Sequence, residues 1–260
     1  MGKTISISNN KGGVGKTSLA TNLATGLALK NKKTLLVDMD PQGNATQSFG
    51  INKDEANLTM YDLLLRNTNI SNIITSTNVK KLHLCPSNIN LIDAESELLS
   101  KIGREKIFEN KIEEKKEEYD FIIIDCPPTL GILSINALAC SDSVIVIIEP
   151  TEFSLSGMEQ FLETIDLVKN INKKLEIEGV LLNRVEKNTK IFKSCFDELK
   201  SIFGKKFYPF YIPKNQSISD AQSPGNFKNS TPVPVIASNP KSSGALAYKK
   251  LTKEVLLNAK

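Results

Sequence analysis

Residues 4–18 set a glycine-rich turn between a strand pattern and a helix pattern, and this narrows the folds open to the chain more than any other feature. "TISIS" (4–8) reads as a short strand. From Thr17 onward Leu19, Leu23 and Leu27, with Ala20, Ala24 and Ala28, recur at helical spacing. Between them Gly12, Gly13 and Gly15 let backbone N–H groups converge on an anion, and a helix starting near Thr17 adds the positive end of its dipole. Strand, turn and helix in that order make a phosphate cradle. Lys16 can reach β- and γ-phosphates and the Thr17 hydroxyl can ligate Mg²⁺. A plain turn feeding an ordinary helix would need neither the Lys-Thr pair nor the strand before it. The pattern GxxxxGK[ST] asks for glycine at position 10, where this chain has Asn10; the variant KGGxGK[ST] fits instead and brings a second lysine, Lys11.

Further strands are expected at 34–38, 82–85, 121–125, 144–149, 179–183 and 207–212, separated by helical segments. Several are continuous apolar runs, which implies burial on both faces and a mainly parallel sheet. The expected class is α/β, a doubly wound sheet flanked by helices, as one domain over 1–260. The mixed charge run "ENKIEEKKEEYD" (109–120) is expected to be a solvated helix face. The Pro-, Ser- and Asn-rich stretch 213–240 is too long for a passive connection, and is read as a functional or a mobile loop.

Two more strand ends carry carboxylates. In "LLVDMDPQGNAT" Asp38 and Asp40 are two apart and point to the same side of an extended chain. Beside the glycine turn they suit a metal shell and an attacking water, and solvent-facing aspartates at a strand end explain them equally well. "YDFIIIDCPP" adds Asp125, and Pro127-Pro128 then turns the chain away at the edge where α/β sheets bind ligands.

Composition removes other chemistries. The four cysteines lack CxxC spacing, so reduced, mostly buried thiols are expected rather than a metal or disulfide framework. His83 is the only histidine and reads as a half-buried strand residue. No run of about 18 apolar residues and no signal-peptide pattern occurs, so a cytoplasmic protein is expected. The net charge of +4 is uneven. From Lys187 to Lys260 there are 13 lysines and 4 acidic residues, net +9, against −5 before it. A polyanion would dock on that last third.

"NNKGGVGKTSLATNLA", "LLVDMDPQGNAT", "DFIIIDCPP", "TEFSLSGM", "GVLLNRV", "IPKNQSISDAQSPG" and "SSGALAYKKLTKEV" resemble, in that order, the blocks of the ParA family of DNA-segregation ATPases, within the group that includes MinD. The likeness spans nearly the whole chain and is similar to the short type without an N-terminal helix-turn-helix. It implies ATP and Mg²⁺ as cofactors, with the nucleotide held by Lys11, Gly12, Gly13, Val14, Gly15, Lys16, Thr17 and Ser18, and by Asn183, Ile212 and Pro213 around adenine. It further implies that Asp40 positions the hydrolytic water, that Thr17, Asp38 and Asp125 serve the metal, and that Lys11 reaches the nucleotide of a second subunit while Lys16 acts in cis. The implied partners are a second copy, double-stranded DNA bound without sequence preference through Lys187, Lys190, Lys214, Lys228 and Lys249, and a ParB-like protein, with nucleoid association. Departures are Lys214 where the family often has arginine, which keeps charge and loses the bidentate fork, and "DAQS" (220–223) for "EAPS". Alternatives are a MinD-like membrane-bound ATPase, needing an amphipathic C-terminal anchor, and a transcriptional regulator using nucleotide as a ligand.

Overall fold

The computed structural model describes residues 2–151, 154–220 and 232–259. Lys228 and the "DAQS" tail at 221–223 lie outside the described residues. Eight strands are described: β1 (Lys3–Ser8), β2 (Thr34–Asp38), β3 (Thr75–Ser76), β4 (Leu82–Cys85), β5 (Phe121–Asp125), β6 (Ser143–Ile148), β7 (Glu176–Val185) and β8 (Phe207–Pro213). They form one sheet in the order β3-β4-β2-β5-β1-β6-β7-β8. Every pairing is parallel except β3 with β4. The seven expected strands are all present. The two-residue β3 is an addition, too short to show a period in the sequence.

Among the described residues the α-helices are α1 (Lys16–Leu29), α2 (Asn44–Gln47), α3 (Met60–Leu65), α4 (Leu91–Leu99), α5 (Ile107–Ile112), α6 (Ile132–Ala139), α7 (Ser154–Val168), α8 (Lys190–Phe203), α9 (Gln216–Asp220), α10 (Val235–Ser238) and α11 (Ser243–Asn258). Strand alternation assigns them to two layers. Ile5, Ile7, Leu36, Ile123, Ile145 and Leu181 face Leu19 and Leu23 of α1 and Tyr248, Leu251 and Val255 of α11. Leu35, Val37, Ile122 and Ile124 face α3 to α6, while Val144, Val180 and Leu182 face α7 and α8. With both faces covered, the central strands are apolar throughout, in keeping with their continuous apolar runs.

One local expectation changes. The charge run at 109–120 is not one solvated helix: α5 ends at Ile112, a 3₁₀ turn follows, and Lys115 and Lys116 are buried. Their stems pack inward while the ammonium groups pair with Glu118 at 2.5 Å and Glu113 at 2.9 Å. In the C-terminal region, α11 spends its apolar face on α1, so the same face cannot lie in a membrane without leaving the core. No helix among the described residues is long and apolar enough to cross a membrane. All four cysteines are buried thiols, and His83 is half-buried with Nδ1 2.8 Å from the Tyr119 hydroxyl.

Candidate functional site: a phosphate loop with a buried carboxylate pair

Register brings the predicted residues together. β5 lies between β1 and β2, and Asp38 pairs directly with Asp125 while Ile7 of β1 pairs with Asp125 from the other side. The carboxyl ends of these strands therefore set both aspartates beside the turn that leaves β1. That turn is tied down along its length. Asn9 donates to Ile147 O at 2.5 Å and its Oδ1 accepts from the Lys11 N–H at 2.7 Å. Asn183 Nδ2 donates to Val14 O at 2.6 Å, and Arg184 Nη1 donates to Gly13 O at 2.7 Å. Gly15 has φ of 96° and caps α1 without a side chain, so the first N–H groups of the helix stay open to an anion. A Cβ at Gly15 would collide with the Asn183 amide, which makes glycine necessary there twice over.

A cavity of about 670 Å³ opens on this loop, lined by Gly12, Gly13, Gly15, Lys16, Thr17 and Ser18. Asp40, Gln42, Asn44, Gln47 and Ser48 line one side, and Asn183, Arg184, Pro213 and Lys214 line another. Lys16 is buried and its Nζ donates to Lys11 O at 2.9 Å. Burial holds its ammonium below the ordinary lysine range, with Asp125 and Asp40 opposing. Lys11 is exposed and does not line the cavity; its Nζ lies 3.4 Å from Thr151 Oγ1.

The carboxylates differ in what they already hold. Asp38 Oδ2 accepts from Thr46 N at 2.8 Å and Thr46 Oγ1 at 2.7 Å, and Oδ1 accepts from the Asp40 N–H at 3.2 Å. Asp125 is fully buried and neither oxygen has a hydrogen bond among the described residues, the Thr17 hydroxyl being close enough to favour the charged form without reaching bonding geometry. A buried carboxylate with both oxygens uncommitted, beside a lysine and a threonine hydroxyl at a phosphate loop, fits a hydrated divalent cation. Of the two aspartates expected to serve a metal, Asp125 has both oxygens without a hydrogen-bond partner among the described residues, while Asp38 accepts three hydrogen bonds from Thr46 and Asp40.

Burial drives both up: Asp38 is pushed up to about 7 and Asp125 well above the usual carboxylate range, each raised further by a neighbouring aspartate. The folded chain thus keeps protons that the unfolded chain releases above about pH 4. Nucleotide-free stability is therefore expected to fall as pH rises from about 4 through about 7. Asp125→Asn should raise the thermal midpoint near neutral pH by several degrees and flatten that slope. Scanning calorimetry of the nucleotide-free chain across this range tests it, and a lowered midpoint would show the carboxylate to be stabilising.

The remaining predicted residues divide. Ile212 is fully buried and does not line the cavity, whereas Pro213 does; Val14 is buried too, and its carbonyl accepts from Asn183 Nδ2. Lys187, Lys190 and Lys214 are exposed around the ends of β7 and β8, with Lys214 paired to Glu186 at 2.5 Å and also lining the cavity. Lys249 is exposed on α11, in the opposite helix layer from the Lys190 of α8, and donates to Pro240 O at 2.7 Å. The lysines thus do not share one helix face. Arg184 is a site residue that the motifs do not single out; its signal in the sequence is a cation inside the strand run "GVLLNRV", and the structure holds it at φ of 54°.

A family model described as an AAA domain matches residues 2–177. The chain is 44% identical over 259 residues to the "Sporulation initiation inhibitor protein Soj" of Bacillus subtilis (strain 168), covering 99% of this chain and 100% of that one. It is 38% identical over 257 residues to the "Chromosome-partitioning ATPase Soj" of Treponema pallidum (strain Nichols), covering 98% of each. A solved structure of cobyrinic acid a,c-diamide synthase from Mycobacterium smegmatis, with bound ATP analogue and magnesium, superposes with a TM-score of 0.84 at 28% identity, covering 98% of this chain and 95% of that one. With the variant phosphate loop, the paired aspartates and full-length identity at this level, the chain belongs to the ParA/Soj family of chromosome-partitioning ATPases.

Proposed function

We propose that this ATPase binds Mg-ATP in the loop cavity, dimerises around it, binds double-stranded DNA without sequence preference in the dimeric state, and partitions a chromosome or plasmid with a ParB-like partner that stimulates hydrolysis. The observation that carries the reading is Asp125, a buried carboxylate with uncommitted oxygens beside Lys16 and Thr17 at the mouth of an open helix N-terminus. Magnesium, when bound, offsets the phosphate charge that develops as the terminal phosphoryl leaves. Thr17 and Asp125 would hold it, Asp125 through bound water. The loop N–H groups and Lys16 bind the β- and γ-phosphates, and Asp40 orients the attacking water. Burial raises the Asp40 carboxyl above its ordinary range, with the Gln42 N–H and Lys16 opposing. On the other side of the loop, Asn183 and Pro213 line the cavity, and the base is proposed to lie against them.

Lys11 suits a role toward a second subunit. Its side chain is exposed, outside its own cavity, and lies 3.4 Å from Thr151 Oγ1. Two cations on one triphosphate are useful when two subunits face each other across it, as an arginine finger faces a GTPase.

DNA binding follows from charge and symmetry. A monomer presents few lysines to a duplex, and a two-fold dimer doubles them along one. Each neutralised phosphate contributes about −0.9 to the slope of log K against log salt, so the ATP form should show about twice the slope of the ADP form. Titrating random duplex DNA with both forms at several salt concentrations tests this, and equal affinity with equal slope would remove dimer-gated binding. Charge reversal at Lys187 and Lys190 should weaken DNA binding and spare ATP-dependent dimerisation.

A further inference from the structure

The residue proposed to orient the water is itself held by a closed ring of hydrogen bonds. Ser87 Oγ donates to the Asp40 carbonyl at 2.8 Å, and the Ser87 N–H donates to Thr46 Oγ1 at 3.0 Å. Thr46 Oγ1 in turn donates to Asp38 Oδ2 at 2.7 Å, and Asp38 Oδ1 accepts from the Asp40 N–H at 3.2 Å. The ring runs Asp40, Ser87, Thr46, Asp38 and back to Asp40. Both main-chain polar groups of Asp40 are fixed by it, while its carboxylate accepts only a Gln42 N–H, on Oδ1 at 2.9 Å, among the described residues.

Three features make this more than local packing. Asp38, Thr46 and Ser87 are fully buried, so water cannot replace a lost bond. Thr46 must both accept and donate, which a hydroxyl does and a methyl of the same shape does not. Gly43, two residues past Pro41 in the same turn, has φ of 63° and its Cβ position would lie 2.8 Å from Ser87 O, so the catalytic turn and the Ser87 segment are in backbone contact with no room for slack.

We infer that Thr46 and Ser87 are positioning residues for ATP hydrolysis, acting through the main chain of Asp40 and the carboxylate of Asp38; this rests on the reading of Asp40 as the water-orienting group. A displacement of that carboxylate by a fraction of an ångström to about 1 Å lowers the rate by roughly ten- to a hundredfold, because the water leaves the line of attack. The phosphate loop is not part of the ring, so nucleotide affinity is spared.

The test measures phosphate release at saturating Mg-ATP, KM, fluorescent-nucleotide binding and thermal midpoint for Thr46→Val, Thr46→Ser, Ser87→Ala and Asp40→Ala. Thr46→Val and Ser87→Ala should lower kcat by about tenfold or more with KM and nucleotide Kd within about threefold. Thr46→Ser should restore most of kcat. The inference is overturned if both hydroxyl deletions keep kcat within about twofold of the parent while Asp40→Ala is inactive, if Thr46→Ser is as slow as Thr46→Val, or if kcat and nucleotide affinity fall together. Turnover by Asp40→Ala at the parent rate would instead remove the reading beneath, and the ring's role with it.

Discussion

Asp40→Ala is expected to bind ATP as the parent does and to hydrolyse it at least about a hundredfold more slowly. The cradle that holds the phosphates is built from loop N–H groups, the α1 N-terminus and Lys16, none of which the substitution alters. What is lost is one carboxylate on the cavity wall, in a position to orient water. Its loss also relieves Lys16 of one neighbouring negative charge while leaving Asp125 in place. Because ATP is bound and not consumed, the dimer should accumulate, and gel filtration with ATP should show a species of twice the monomer mass. A monomer with normal turnover would take Asp40 out of catalysis.

Much of this site is legible in the amino-acid sequence. The phosphate loop carries its own local signature, because a glycine turn between a period-2 and a period-3.6 segment has few other uses. The sheet is legible because Ile122, Ile123 and Ile124, like Val144 to Ile148, leave no polar face for solvent. What sequence does not carry is anything set by register between distant strands. Asp38 and Asp125 look alike in sequence, each ending an apolar strand. Only the pairing of β2 with β5, and the position of Thr46, separates a carboxylate that is committed from one that is free. Ser87 is likewise silent in "LCPSN"; it matters because β4 ends beside β2, 47 residues from Asp40 along the chain. The burial of Lys115 and Lys116 is hidden for a related reason. Mixed charges at helical spacing look the same whether their stems face water or pack under a neighbouring loop.

Lys16→Ala and Lys11→Ala should both abolish turnover, by different routes. Lys16 is buried at the base of its own loop, so its removal leaves the triphosphate short of a cation in every assembly state, and nucleotide binding itself should fail. Lys11 is exposed and outside its own cavity, so its removal should leave monomer nucleotide affinity within about threefold while dimerisation and hydrolysis disappear together. An equal loss of nucleotide affinity in both variants would refute the division of labour.

That division makes a mixing experiment the most direct test of the two-subunit account. Lys11→Ala subunits keep Asp40 and lack the trans lysine; Asp40→Ala subunits lack the water-orienting carboxylate and keep the lysine. Neither hydrolyses ATP alone. In a mixed dimer the site on the Lys11→Ala subunit has its own Asp40 and receives Lys11 from its partner, so one site of two is complete. Lys11→Ala subunits do not pair with one another, so every dimer they enter is mixed, and phosphate release should rise well above that of either variant alone, to at most about half the parent rate when all of them are paired. Release that stays at the level of the separate variants at every mixing ratio, with mixed dimers demonstrably formed, would contradict the account.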